Sequence, residues 1–301
     1  LNTPADRRLV SGFLFALFGA IAFSGKAIIV KLAYRHGVDA VTLIMLRMLF
    51  ALPIFAVMGW WASRGKPPLS GRDWLGVTGL GVTGYYLSSF LDFMGLQYIT
   101  ASLERLILYL NPTLVLLLGW LLYRKGIRKA HAMGMAISYL GVLLVFGHEV
   151  QLQGSHVALG AALVFASAVS YAVYLVYSGE LVQRLGSLRL VGLATSVACL
   201  CCILQFVVLR PLPTAWEVAP QVVWLSVLNA TLCTAVPVLL VMMAIERVGP
   251  AVAAQVGMIG PMSTIVMGVV LLGEPLTGWI VAGTLLVIAG VYVVSRRPPA
   301  G

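Results

Sequence analysis

Asn111-Pro112-Thr113-Leu114-Val115-Leu116-Leu117-Leu118-Gly119 and Gly260-Pro261-Met262-Ser263-Thr264-Ile265-Val266-Met267-Gly268 are two apolar stretches on one plan: a proline second and a glycine seven residues later. They lie 149 positions apart, and the same shift sets Gly134 on Gly283 and Gly141 on Gly290. At 148 or 149 the beginnings also correspond, Gly12 with Gly160, Ala20 with Ala168, Phe23 with Tyr171 and Gly37 with Gly186. Proline removes a backbone donor and glycine admits close approach, so a shared register of these residues records a shared backbone shape. The chain therefore reads as two related five-helix repeats, residues 1–148 and 149–301.

The repeats belong in a bilayer. Of 301 residues 60% are hydrophobic and 10% charged, against roughly a quarter charged in a soluble domain. The charges gather in short clusters between apolar runs of about twenty residues, the length that crosses hydrocarbon. Spans are expected near 9–34, 40–62, 74–94, 99–122, 130–147, 157–182, 187–210, 218–243, 249–272 and 276–295. Arg64-Gly65-Lys66-Pro67-Pro68, Arg124-Lys125-Gly126, Arg210-Pro211-Leu212-Pro213 and Gly273-Glu274-Pro275 break them. The fold class is an all-α integral membrane protein. Five helices per half is an odd number, so the halves enter from opposite faces as an inverted repeat, an architecture that places a substrate site near the midplane.

Ten spans also put the termini and every second loop on one side. That side carries Arg7, Arg8, Arg64, Lys66, Arg72, Arg124, Lys125, Arg128, Lys129, Arg184, Arg189, Arg247, Arg296 and Arg297, while the other has Lys31, Arg35 and Arg210. Cytoplasmic termini are expected. The formal charge of +10 is thus loop asymmetry, and with no soluble basic domain no nucleic-acid partner is expected. Arg7 and Arg8 precede an apolar run too long for a signal-peptide core, read as a retained first helix.

Other chemistry is sparse. Cys199, Cys201, Cys202 and Cys233 fall in apolar runs without nearby His or carboxylate, so they read as small apolar side chains. His36, His131, His148 and His156 show no metal spacing, so no metal, cofactor or catalytic residue is expected. Gly79-x-Gly81-x-x-Gly84 matches the dinucleotide fingerprint by letter, but it lies inside an apolar span and reads as close helix packing. A membrane enzyme would need a nucleophile, metal set or paired acids converging at one face, and a channel would need a filter motif.

The pattern from Ala101 to Gly141, and its second copy from Pro250 to Gly290 with Gly273-Glu274-Pro275, resembles an EamA domain of the drug/metabolite transporter superfamily. Leu91-Asp92-Phe93-Met94-Gly95-Leu96-Gln97-Tyr98 looks like the YddG-type exporters of aromatic and other amino acids. The resemblance implies that helices 1 to 4 and 6 to 9 surround a cavity, with helices 5 and 10 outside. It also implies export of small metabolites across a bacterial inner membrane, with small-molecule substrate and lipids as partners and one chain as the working unit. The first half has Tyr123-Arg124-Lys125-Gly126 where the second has Leu272-Gly273-Glu274-Pro275, so Glu274 reads as a loop-structure element.

Candidate site residues follow from helical spacing. Ser167, Ser170, Tyr171, Tyr174 and Ser178 form one polar-aromatic stripe, a cavity wall or a set of interhelical hydrogen bonds. Shifted back by 148, the stripe turns Lys26 inward opposite Tyr174, toward substrate or a structural carboxylate. Arg47, Asp92, Glu104 and Arg105 would build a charged outer vestibule or gate, or form Asp92–Arg105 and Glu104–Arg47 ion pairs. Arg105, Tyr109 and Pro112 are expected along one helical ridge. The second half offers neutral groups, Asn229, Thr231, Thr234 and Gln255, which with Asn111 suit both ends of a zwitterion. Tyr85, Tyr86, Tyr109, Tyr171 and Tyr174 are candidates to stack on substrate or to anchor helix ends at the interface. Pro112, Pro237, Gly260 and Pro261 are expected hinges or fixed bends.

Overall fold

A computed structural model describes residues 4–124, 129–154, 156–257 and 259–295. The helices are α1 (Pro4–Tyr34), α2 (Ala40–Ser63), α3 (Gly71–Gly81), α4 (Ser88–Gly95), α5 (Ala101–Leu108), α6 (Asn111–Tyr123) and α7 (Lys129–Gln153). The chain continues as α8 (His156–Leu185), α9 (Ser187–Leu209), α10 (Pro220–Ala230), α11 (Val236–Gly257), α12 (Gly260–Met267) and α13 (Gly278–Ser295). No strand occurs among the described residues. Among the described residues seven helical stretches are long and apolar enough to cross a membrane, and Gly260–Leu272 and Gly278–Val293 are shorter apolar helices.

Local chemistry sets the ends. The Asp39 side chain accepts the amides of Val41 and Thr42 to start α2, and Ser70 and Asp73 form a reciprocal capping box on α3. Gly186 alone joins α8 to α9 at φ 84°, a left-handed conformation that disfavours any side chain.

Three interior departures from the simple spans matter. The expected span 99–122 is divided at Tyr109-Leu110, so Arg105 lies on α5 and Pro112 on the first turn of α6; the three-residue ridge is not continuous. Proline cannot donate to the residue four before it, and the break falls where that bond is missing. The expected break at residues 244–248 is not a non-helical segment, because helical bonding runs through α11. Yet the chain reverses between Val248 and Gly260: Gly19 meets Leu240 and Val241, Gly12 meets Val248, and Gly260 returns to Ser24. Third, the stretch from Gly71 to Gly95 is interrupted by a π turn at Val82–Leu87, and its counterpart by one at Thr231–Ala235. The two turns begin 149 residues apart, the repeat shift itself.

Equivalent helices of the two repeats pack on each other. A methyl on Gly141 would lie 2.6 Å from the Gly283 carbonyl oxygen, and one on Gly290 would lie 2.5 Å from that of Gly134. Gly134 and Gly141 are the counterparts of Gly283 and Gly290, so each contact is the other with repeats exchanged, the reciprocity of a twofold interface. As numbers rise along α7 they fall along α13, so the helices run antiparallel. α2 and α9 do the same: Met48 Sδ meets Cys199 Sγ at 3.6 Å, and Gly59 meets Gly192 a few turns away. Without a hydrophobic force between helices in lipid, such small-residue contacts let dispersion hold them together.

Candidate functional site

Among three helices of the first repeat lies a buried charged cluster. α1 brings Lys26, α4 brings Asp92 and α5 brings Glu104; Lys26 Nζ is 2.6 Å from Asp92 Oδ2 and 3.3 Å from Glu104 Oε1. All three side chains are buried. Asp92 Oδ1 and both Glu104 oxygens have no hydrogen-bond partner. The ion pairs Asp92–Arg105 and Glu104–Arg47 do not form, because both guanidinium groups turn toward the second repeat. Arg105 donates from Nε to Thr264 Oγ1 at 3.0 Å and from Nη2 to the Phe23 carbonyl at 3.3 Å. Arg47 donates from Nε and Nη2 to Thr234 Oγ1 at 3.2 and 3.1 Å, and its guanidinium lies 5.3 Å from the Phe93 ring centre.

A second cluster is aromatic. The Tyr85 and Tyr174 hydroxyls are 3.1 Å apart, their rings meet edge to face at 5.1 Å, and Tyr171 stacks on Tyr174 at 5.4 Å. Tyr174 is buried, with Gly84 packed against its ring, and Tyr85 and Tyr171 are half-buried. The serines beside them serve packing: Ser167 and Ser170 donate to the Ser88 and Thr83 carbonyls. Tyr85 lies two turns before Asp92, so the aromatic and charged clusters are separated by about 10 Å along one helical stretch. The glycine motif that mimics a nucleotide fingerprint also serves packing here, since a methyl on Gly81 would lie 2.5 Å from the Ala194 carbonyl oxygen.

The seam between α5 and α12 explains the second proline. Pro261 has no amide hydrogen for the Gly257 carbonyl, and the Tyr109 hydroxyl of the opposite repeat donates to that oxygen at 2.6 Å. Ser24 Oγ donates to the Gly260 carbonyl at 3.0 Å. Pro237 is buried directly after the π turn, whereas Pro112 is exposed. Asn111 is half-buried with Oδ1 unpartnered, and Asn229 is buried with both side-chain polar atoms unpartnered. The side chain of Gln255 lies outside the described residues, as does that of Glu246.

Sequence reasoning underrated Thr234 and missed Ser24, Thr264 and Ser102. Glu274, read from the sequence as a loop-structure element, reaches across the repeats: its carboxylate accepts from the Ala101 amide at 2.7 Å and from Ser102 Oγ at 2.8 Å, so the loop of one repeat caps α5 of the other. Beside it opens a cleft of about 650 Å3 lined by Lys31, Tyr34, Arg35, Gln97 and Glu274. Among the described residues no group of three or more His, Cys, Asp or Glu is placed to hold a metal.

The model of the EamA-like transporter family matches residues 10–147 and again residues 158–296, one match for each repeat. The chain belongs to the EamA-like transporter family. It is a multi-pass membrane protein with transporter relatives. The chain is 31% identical to the uncharacterised transporter YcbK of Bacillus subtilis, over 90% of this chain and 88% of that one. It is 24% identical to a probable amino-acid metabolite efflux pump of Salmonella typhimurium, over 94% of this chain and 93% of that one. A solved crystal structure superposes with a TM-score of 0.60 at 20% identity, covering 96% of this chain and all of the other, which is a likeness of fold.

Proposed function

We propose that the protein exports small metabolites, aromatic and other neutral amino acids foremost, across a bacterial inner membrane by alternating access. In this reading ten spans form two inverted repeats with both termini cytoplasmic, and one chain encloses the path. The antiparallel crossing of the counterpart helices α7 and α13, with its exchanged glycine contacts, supports the inversion. The surplus of Lys and Arg on one side supports the orientation.

The observation that carries the proposal is the pairing of a buried ionic cluster, Lys26–Asp92–Glu104, with the Tyr85–Tyr174–Tyr171 cluster about two turns away. Charge inside a membrane bundle marks a substrate path, and an adjoining aromatic wall suits an apolar or aromatic side chain. The amino-acid assignment also draws on the relative from Salmonella typhimurium and on the resemblance to YddG-type exporters.

Counterflow in proteoliposomes tests it. Labelled amino acid outside should accumulate against unlabelled excess inside, and Tyr174→Ala should abolish accumulation in folded protein. Absence of accumulation for every amino acid, in protein that is folded and reconstituted, removes the amino-acid assignment.

A further inference from the structure

Across α1, α2, α4 and α5 the buried cations outnumber the buried carboxylates. Lys26, Arg47 and Arg105 stand against Asp92 and Glu104 among the described residues there, and protonating either carboxylate widens the excess. Lys26 takes both carboxylates. Arg105 is held by a hydroxyl and a carbonyl, with the Phe23 ring beside it. Arg47 is the cation left furthest from satisfaction: it is 5% exposed, hydrogen bonds to one neutral hydroxyl, and has Nη1 unpartnered.

A guanidinium in a membrane interior costs several kcal/mol unless something compensates it, and its planar fork matches a carboxylate. Next to it, Thr234 Oγ1 passes its own hydrogen to the Asn229 carbonyl at 2.8 Å. The Asn229 side chain is 1% exposed, with Nδ2 and Oδ1 both unpartnered. The π turn at Thr231–Ala235 carries Thr234, whose hydroxyl joins the Arg47 guanidinium to the Asn229 main chain. Buried polar groups without partners are rare in folded proteins, and Arg47 Nη1 with the two Asn229 side-chain atoms, on residues that Thr234 links, call for a polar occupant.

We infer that Arg47 and Asn229, held together through Thr234, form the subsite for the carboxylate of the transported molecule. This deepens the carrier reading and rests on it. The carboxylate supplies the missing counter-charge to Arg47 and an acceptor for Asn229 Nδ2. On the other side, Phe93 under the guanidinium is adjacent in sequence to Asp92, whose carboxyl is taken up by Lys26. The subsite thus requires a carboxylate and tolerates a range of side chains.

The test compares, in the wild type, the amino acid giving the strongest counterflow with its carboxamide and its decarboxylated amine as competitors. Removing one member of a buried charge pair costs enough that both analogues should compete at least about thirtyfold more weakly. Arg47→Gln should weaken the acid to the level of the carboxamide, and Asn229→Leu should weaken it by about tenfold with the amide little changed. If Arg47→Gln does not fold, the wild-type comparison and Asn229→Leu decide. Equal competition by acid and carboxamide overturns the subsite while leaving a carrier. Undiminished preference for the acid in folded Arg47→Gln also overturns it. Failure of every probe to move or compete in folded wild type instead removes the carrier reading, and the subsite with it.

Discussion

Lys26 on α1 holds Asp92 at 2.6 Å and Glu104 at 3.3 Å, one ammonium facing two carboxylates from two other helices. Lys26→Met leaves both carboxylates buried without their cation, and the expected loss is about 3–5 kcal/mol. Thermal unfolding in detergent should register it as a lower Tm. Lys26→Met combined with Asp92→Asn and Glu104→Gln removes both orphaned charges and should recover more than half the loss without recovering transport. A single variant as stable as wild type would show that the cluster is not stabilised by its pairing.

Tyr109 and Pro261 should behave as a coupled pair. Tyr109→Phe leaves the Gly257 carbonyl, already deprived of an intrahelical donor by Pro261, without a partner, at a cost of about 1–2 kcal/mol. Pro261→Ala restores an amide at that place, so Tyr109→Phe should cost less in that background. A double-mutant cycle on unfolding free energies reads the coupling, and additivity within about 0.5 kcal/mol would mean the carbonyl never depended on the hydroxyl.

The repeat makes Gly119 and Gly268 equivalents, but their surroundings differ. A methyl on Gly268 would lie 2.8 Å from Glu274 Oε2, whereas nothing stands within 4 Å of one on Gly119. Gly283→Ala, against the Gly141 carbonyl at 2.7 Å, should destabilise by about 1–3 kcal/mol. Gly119→Ala should be neutral or slightly stabilising, and Tm values of the two variants check the contrast.

Much of this was legible beforehand for a physical reason. Pro112, Pro261 and the four glycines of the α7–α13 crossing act on the backbone alone, so their spacing transmits directly into shape. The partner of Lys26 was not legible. Lys26, Arg47 and Arg105 are all cations on inward faces, and which of them meets Asp92 depends on how far each helix is rotated. The π turn at Val82–Leu87 adds to that rotation, and apolar periodicity does not record it. The cap that Glu274 places on α5 was hidden likewise, since it joins residues 173 apart through loop geometry.

Asp73 gives a pH signature outside the spans. Hydrogen bonds from the Ser70 hydroxyl and amide, with Arg184 of the second repeat adding to them, hold its carboxyl below the ordinary aspartate value. A depressed carboxyl contributes stability above its unfolded pKa and loses it as pH falls through the folded one. The Tm gap between wild type and Asp73→Asn should therefore be full at neutral pH and close in acid. A gap that stays constant down through the carboxylate range would rule this out.

The paired π turns make chain length itself a determinant of the interior. A π turn absorbs one residue more than the α-helical ladder around it can space, and deleting that residue would return the turn to α geometry and re-aim the side chains within it. In the first repeat that takes Tyr85 from Tyr174; in the second it removes Thr234 from beneath Arg47. Two single-residue deletions, at places 149 apart, would thus leave every polar side chain named here in the molecule and take apart the arrangement they make.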